Sequence, residues 1–498
     1  MSHFCLTETD LIFNGSADRF TKNIAALRLL KDLETTSRPA TREERLTLAH
    51  YSAFGDSALL NRLFRFDQAR SRFVVQQGYE AFLSEDEAKA LRRAALTAFY
   101  TPIDVVRAIW YAASRLGIGE LEQPRIIEPA AGVGHFISAM PADLRARAEI
   151  TAVELDPITA RILRQIHPDI SVHGGVGFET VELPSNTFDL AISNVPFGDM
   201  PVRDPLIQEE FLRRTIHDYF FGKAVRIVRP GGLIVFLTSW GTLDKQSTSV
   251  RMWLAQHTEL IGAWRLPHGV FRSMSGSESA TDLIILQKKA RPCACQPAWI
   301  ELAQVDYPRE HSHASMLPSA RYTREIKDEQ QLQQTPLYVN RLWIMEPERV
   351  VGRPVTVVWD NSLWLHITPP PEGLSTVLRD RLERMVPEGR LRAYAPEDVT
   401  ASASLRESRD LHRRAEHVDL SHVDRLRQTQ AAAMAAIYQA AKDVIRRELN
   451  DEAGVETCRA ELSHLYDDFV ACYAVISDPR NQRLFRDVPE RAFLLALE

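Results

Sequence analysis

Apolar residues recur at helical spacing across residues 17–35 (Phe20, Ile24, Leu27, Leu30), and that spacing predicts an amphipathic helix. Ala40-Thr41-Arg42-Glu43-Glu44 predicts a capped start to a second helix. A further helical stretch at 83–97 leads into AFYTP, where Pro102 suits the first turn of a helix over 103–116. The first hundred residues therefore read as helical. From 124 the texture changes to short apolar runs between helical segments: RIIEPA, ITAVELD, FDLAISN, GGLIVFLTS, LIGAWRLP and TDLIILQKK. That alternation predicts an α/β domain built on a mostly parallel sheet. The last two runs have no long helix between them, so they read as an antiparallel hairpin at one edge.

Between about 290 and 400, prolines and short β-prone runs (YVNRLWIM, PVTVVWDN, LWLHITPPP) predict a small, irregular β-rich region with no legible role. Helical patterns return at 421–449 and 454–475, where AAAMAAIYQAA permits close helix packing. The expected division is a helical region at 1–98, the α/β domain at 99–290, the β-rich region at 291–400 and a helical region at 401–498.

Composition narrows the class. The 498 residues are 45% hydrophobic and 25% charged, the balance of an ordinary globular protein of two or three domains. A net charge of −6 argues against a wholly basic nucleic-acid coat but leaves room for a locally positive cleft. Cys5, Cys293, Cys295, Cys458 and Cys472 are few and unevenly spread, which suits a reducing compartment, and two thiols at 293 and 295 do not complete a zinc site. No metal is expected. The N-terminus lacks the pattern of a signal peptide and no apolar run reaches spanning length, so the expected location is cytoplasmic, away from membranes.

RIIEPAAGVGHF places a buried strand before small residues and two glycines, Gly132 and Gly134. Such a loop lets a ligand's polar groups approach the backbone at the carboxyl end of a parallel strand. The following strand, ITAVELDP, ends in Glu154, placed to accept the ribose hydroxyls of a nucleoside. Asp156, with Pro157 after it, reads instead as a helix N-cap. There is no GxxxxGK[ST] phosphate loop, and the third glycine of a dinucleotide fingerprint is missing, so an adenosine-containing ligand without a pyrophosphate fits better.

FDLAISNVPFGDM offers a second chemistry. The lone pair of an exocyclic amine such as adenine N6 is delocalised into the ring. Two acceptors gripping its two protons draw that density back, and no strong base is required. Asn194 supplies a side-chain oxygen, Val195 a backbone carbonyl held outward by Pro196, and Phe197 an aromatic face for the base. A cytosine-C5 mechanism would need a cysteine nucleophile here; Cys293 lies past the last strand and is rejected.

With these motifs in this order, the chain resembles the N6-adenine DNA methyltransferases that use S-adenosylmethionine. FYTP at 99–102 resembles the family's entry motif, EPAAGVGHF at 128–136 its glycine loop, ELDP at 154–157 its acidic strand end and NVPF at 194–197 its catalytic motif. Residues 17–290, including IHDYFFGKAVRIVRPGGLIVFLTSWGTLDK at 216–245, resemble the methyltransferase portion of large methyltransferase-helicase proteins of plasmids, phages and integrative elements. YDDFV and FLLALE near the end resemble the segment that precedes the helicase there.

The resemblance implies a Rossmann-like class I methyltransferase sheet flanked by helical regions. It assigns S-adenosylmethionine to Tyr100, Thr101, Pro102, Glu128, Ala130, Gly132, Gly134, Phe136, Glu154 and Phe178, and catalysis to Asn194, Val195, Pro196 and Phe197. It implies DNA as substrate, a helicase-like or other defence-system subunit as partner, and a place in a restriction-modification, phage-defence or mobile-element system. Two departures stand out. Val195 replaces the first of two family prolines, and HGGVGFE at 173–179 lacks the acidic residue that holds the cofactor's adenine amine, leaving Phe178 to pack on that ring. They motivate an alternative: an inactive methyltransferase-like DNA-binding or scaffolding subunit. Methylation of a protein glutamine or of RNA would use the same grip.

Overall fold

The computed structural model describes residues 3–54, 57–67, 72–75, 83–94, 100–271, 274, 280–308, 337–359, 362–391, 437, 440–441, 444, 447 and 455–473. Backbone contacts divide the chain into two compact units, Met1–Ser402 and Ala403–Glu498. In the second unit the helix Val455–Tyr473 stands where the 454–475 pattern predicts one. FLLALE and most of the predicted helix at 421–449 lie outside the described residues, as does Phe99 of the entry motif.

The first unit opens with the helix Gly15–Thr36, whose Ile24, Leu27, Leu30 and Leu33 are buried, as the spacing predicts. Arg42–Ala49 follows with a full capping box: Thr41 accepts from the Glu44 N–H and Glu44 from the Thr41 N–H. The all-helical expectation for this region is corrected by a hairpin of β1 (Phe64–Asp67) and β2 (Arg72–Val75), which pairs Phe64 with Val75 and Phe66 with Phe73. Its four-residue strands are too short for their period of two to stand out among helices.

The large sheet contains β3 (Arg125–Glu128), β4 (Glu149–Glu154), β5 (Ser171–Gly174), β6 (Phe188–Asn194), β7 (Val228–Ser239), β8 (Thr258–Arg265) and β9 (Thr281–Lys288). Its order is β5-β4-β3-β6-β7-β9-β8, with the first five strands parallel and β9 antiparallel to both of its neighbours. This is a seven-stranded, mostly parallel Rossmann-like sheet with an antiparallel edge. The chain builds outward from β3 to β5 and then returns to β6 on the other side of β3. Ligands of open α/β sheets bind at such a switch point, outside the carboxyl ends of the strands.

β6 and β7 are buried along nearly their whole length because helices cover both faces. Pro157–Ile166 buries Ile158, Ile162, Leu163 and Ile166, and Asp156 caps it by accepting from the Thr159 N–H at 2.9 Å. Ile103–Arg115 buries Val106, Ile109, Trp110 and Ala113 on one side. Ile216–Ile227 is buried almost all round.

Residues 298–391 add β10 (Leu302–Val305) paired with β11 (Leu337–Asn340), then a hairpin of β12 (Arg353–Trp359) and β13 (Ser362–Thr368). These pieces pack into the same cores as the sheet. Trp343, Val350 and Ile367 join the core beside Ile234, while Val351, Leu378 and Leu382 join the one around Ile109. Gly389 and Leu391 donate to the carbonyls of Arg115 and Leu116, returning the chain to the start of the domain. Among the described residues, no helix is long and apolar enough to cross a membrane.

Candidate active site

The glycine loop begins where β3 ends. Its turn is fixed by backbone bonds from Ala131 N–H to Val153 and from Gly134 N–H to Ala131, at 2.9 and 2.8 Å. Gly132 and Gly134 take positive φ, +54° and +85°. A Cβ on Gly134 would stand 2.6 Å from Leu163 Cδ1, so this glycine lets the helix Pro157–Ile166 close on the loop. The Tyr100 ring lies against Gly132 and meets His135 edge-to-face at 5.4 Å.

Glu154, at the end of β4, holds the loop by both oxygens. It accepts from Gly132 N–H at 2.8 Å and from Asp156 N–H at 2.7 Å. Burial outweighs these bonds and pushes its carboxyl up to about 7, with Asp156 adding to the rise. Glu128, at the end of β3, is wholly buried; burial and the neighbouring Glu154 raise its carboxyl well above the usual range. Among the described residues, the buried Glu128 Oε2 and Thr101 Oγ1 find no hydrogen-bond partner. Buried polar atoms are seldom left so, and the pair fits a site shaped for a polar ligand.

One strand away, Ser193 Oγ donates to the Ala130 carbonyl at 3.3 Å and ties β6 to the glycine loop. Asn194 closes β6 opposite Leu237. Val195 continues the ladder, donating to the Leu237 carbonyl at 3.0 Å, and its side chain is buried in the core. Pro196 and Phe197 are half-buried. Phe197 leans on Phe271 with ring centroids 6.2 Å apart, so the expected exposed aromatic is partly taken into packing.

The loop after Phe197 is anchored from below. Tyr219 donates to Asp204 Oδ2 at 2.5 Å, and the buried Lys223 ammonium lies 3.6 Å from the same carboxylate. Lys223 also donates to the carbonyls of Phe178 and Val181, joining this loop to the one after β5. His217 and Asp218 sit inside the first turn of the helix Ile216–Ile227. Asp218 accepts from the Thr215 hydroxyl at 2.7 Å and pairs with Lys245.

The structure gathers Tyr100, Thr101, Pro102, Glu128, Ala130, Gly132, Gly134 and Glu154 around one loop, with Asn194, Val195, Pro196 and Phe197 at the adjacent strand exit. Two of the rings assigned to the cofactor sit in the core. Phe136 is buried, and its carbonyl accepts from Trp110 Nε1 at 2.8 Å. Phe178 packs on Phe220 at 4.9 Å and on Tyr219. Both fill the space between sheet and helices, a place apolar rings take when no acidic or polar atom draws them out. Ser193, Asp204 and Lys223 carry contacts that no local motif signals. Cys293 lies past the end of β9, at the opposite edge from Asn194, with Lys289 Nζ 3.1 Å from its sulfur. Among the described residues no cluster of three or more His, Cys, Asp or Glu could hold a metal.

No family model matches the chain. It is 28% identical over 196 residues to the "Defense against restriction protein B" of Escherichia phage P1, a match covering 38% of this chain and 8% of that protein. The chain thus spans under a tenth of the length of this curated relative. Similar solved structures include a Listeria monocytogenes protein assigned to the class I S-adenosylmethionine-dependent methyltransferases (15% identity, TM-score 0.35, 55% of this chain and 89% of that one). Another is the methyltransferase subunit of a type I restriction-modification system from Streptococcus thermophilus (13% identity, TM-score 0.33, 55% and 79%).

Proposed function

We propose that this chain is an S-adenosylmethionine-dependent DNA methyltransferase acting on adenine N6, within a restriction-modification, phage-defence or mobile-element system. The observation that carries the reading is the juxtaposition of a carboxylate-braced glycine loop with Asn194-Val195-Pro196-Phe197, the two strands being tied through Ser193 and Ala130. The unpartnered Glu128 and Thr101 oxygens fit the polar amino-acid end of the cofactor, and Glu154 fits its ribose. When bound, that group supplies an electrophilic methyl on a sulfonium sulfur.

This chain's residues do the rest. Asn194 Oδ1 and the Val195 carbonyl accept the two N6 protons of an adenine flipped out of DNA, a step costing a few kcal/mol. Holding the amine this way restores its lone pair and lines it up for attack, so positioning supplies most of the rate. The surplus proton of the methylated amine leaves to water. Phe197 supports the base face, its angle fixed by Phe271. The Val195 N–H bond to Leu237 supplies rigidity that the missing proline would otherwise give.

A helicase-like or other defence-system subunit is the proposed partner, in line with the small share of the phage protein that this chain matches. A second reading, an inactive DNA-binding or scaffolding subunit, is favoured by one observation: Phe178 is walled into the core rather than open to an adenine ring. Nucleoside mass spectrometry of plasmid DNA from cells expressing the full chain tests the first reading. N6-methyladenine above the level of a vector control in a methylation-deficient host supports it; cofactor binding without any methylated base supports the second.

A further inference from the structure

Trp240 and Trp364 stand out among the exposed large side chains. Each keeps 37% of its surface, and their rings meet at 6.1 Å and 81°. Trp240 follows β7 directly, three residues past Leu237, the residue opposite Asn194. It therefore leaves the sheet at the same carboxyl edge as the proposed target base, one strand over and on the far side from the glycine loop. Trp364 comes from β13, in the region whose role the sequence does not reveal.

The segments that carry the two rings lead back to the buried Arg265 and its neighbours. The Arg265 guanidinium donates to Asp244 at 2.7 Å and to Asp282 at 2.5 Å, and Asp244 ends the short helix Gly241–Asp244 that follows Trp240. The Arg265 carbonyl accepts from Val351 at 2.8 Å, at the root of the β12–β13 hairpin, and His268 N–H donates to the Ile367 carbonyl at 3.0 Å. The segments that bear the two tryptophans are thus anchored in the folded core, which lowers the ordering cost of a stacked ligand.

We propose that Trp240 and Trp364 form an aromatic notch that stacks an unpaired base of the DNA strand beside the flipped adenine. The inference rests on the DNA-adenine reading of the site. With the rings at 81°, one indole offers a face for a planar base to stack on and the other walls the edge of that base. The two rings are far smaller than the roughly 800 Å² per partner of a stable protein interface. Their place beyond β7 points to the nucleic-acid strand rather than to the cofactor, whose proposed residues lie at β3 and β4.

The test is fluorescence anisotropy of the full chain with a fluorescein-labelled 20-mer single-stranded DNA of mixed sequence. It compares wild type, Trp364→Ala, Trp364→Phe and Trp240→Phe, all with thermal melts to confirm folding. Trp364→Ala weakens binding by about 5- to 150-fold, the range for losing one stacked base, and Trp364→Phe recovers most of it. Affinity for S-adenosylhomocysteine stays at the wild-type value in every variant. Trp364→Ala binding within twofold of wild type overturns the notch, as does absence of single-strand binding by wild type. If wild type methylates adenine while Trp364→Ala binds normally, the notch fails and the catalytic reading stands. Ring-dependent binding without methyl transfer does the reverse.

Discussion

Glu154→Gln keeps the size of the side chain and removes its charge, at the point where the glycine loop is braced. In the folded protein this carboxyl is raised from 4.5 to about 7. The difference disfavours the ionised form by at most about 3 kcal/mol, since the strand end keeps some contact with water. If ribose hydroxyls donate to the carboxylate, binding selects the ionised form, and affinity climbs about tenfold between pH 6 and pH 8. In the variant a neutral amide replaces a charge-assisted acceptor worth about 1.5–3 kcal/mol, so affinity at pH 8 falls roughly 10- to 100-fold and its pH slope vanishes. Stability moves the opposite way. A carboxyl raised on folding contributes stability that is full below pH 4.5 and lost as pH rises through about 7, so urea melts of wild type weaken across that window and those of Glu154→Gln weaken less. Isothermal titration with S-adenosylhomocysteine at pH 6, 7 and 8, on both proteins, reads the binding arm directly. Equal pH slopes in the two proteins, or a flat wild-type affinity, would refute the role given to Glu154.

Two further substitutions probe the scaffold around the site. Gly134→Ala forces a side chain into a left-handed backbone at φ +85° and onto Leu163 at 2.6 Å; chemical denaturation should show a loss of roughly 2–5 kcal/mol. Asp204→Ala strands the buried Lys223 ammonium and the Tyr219 hydroxyl, for a cost of about 3–5 kcal/mol. The freed loop after Phe197 should raise KM for DNA more than it changes cofactor affinity, as steady-state kinetics beside titration would reveal.

What was legible in the sequence is local. The Thr41–Glu44 capping box, the Asp156 cap and the apolar runs that became β3, β4, β6, β7, β8 and β9 each depend on residues within a few positions of one another. The antiparallel edge was legible too, because no helix separates the runs at 260 and 281. What stayed hidden depends on distant partners. Lys223 is a typical surface residue until Phe178 and Asp204 meet it from separate loops, and Arg265 gains its place only from Asp244, Asp282 and Val351. The resemblance assigns Phe136 and Phe178 to the cofactor, and the burial of both rings depends on helices at 103–115 and 216–227 that no nearby residue announces. Phe197 reads from sequence as an aromatic face for a base, and the ring it packs on, Phe271, comes from more than seventy positions away.

The most direct measurement is transfer of radiolabelled methyl from S-adenosylmethionine to mixed-sequence duplex DNA, with wild type beside Asn194→Ala and nucleoside analysis of the product. The account predicts label in N6-methyladenine with wild type and its loss in the variant, while both proteins bind S-adenosylhomocysteine equally. Undiminished transfer by Asn194→Ala, or label in any base other than adenine, would contradict it.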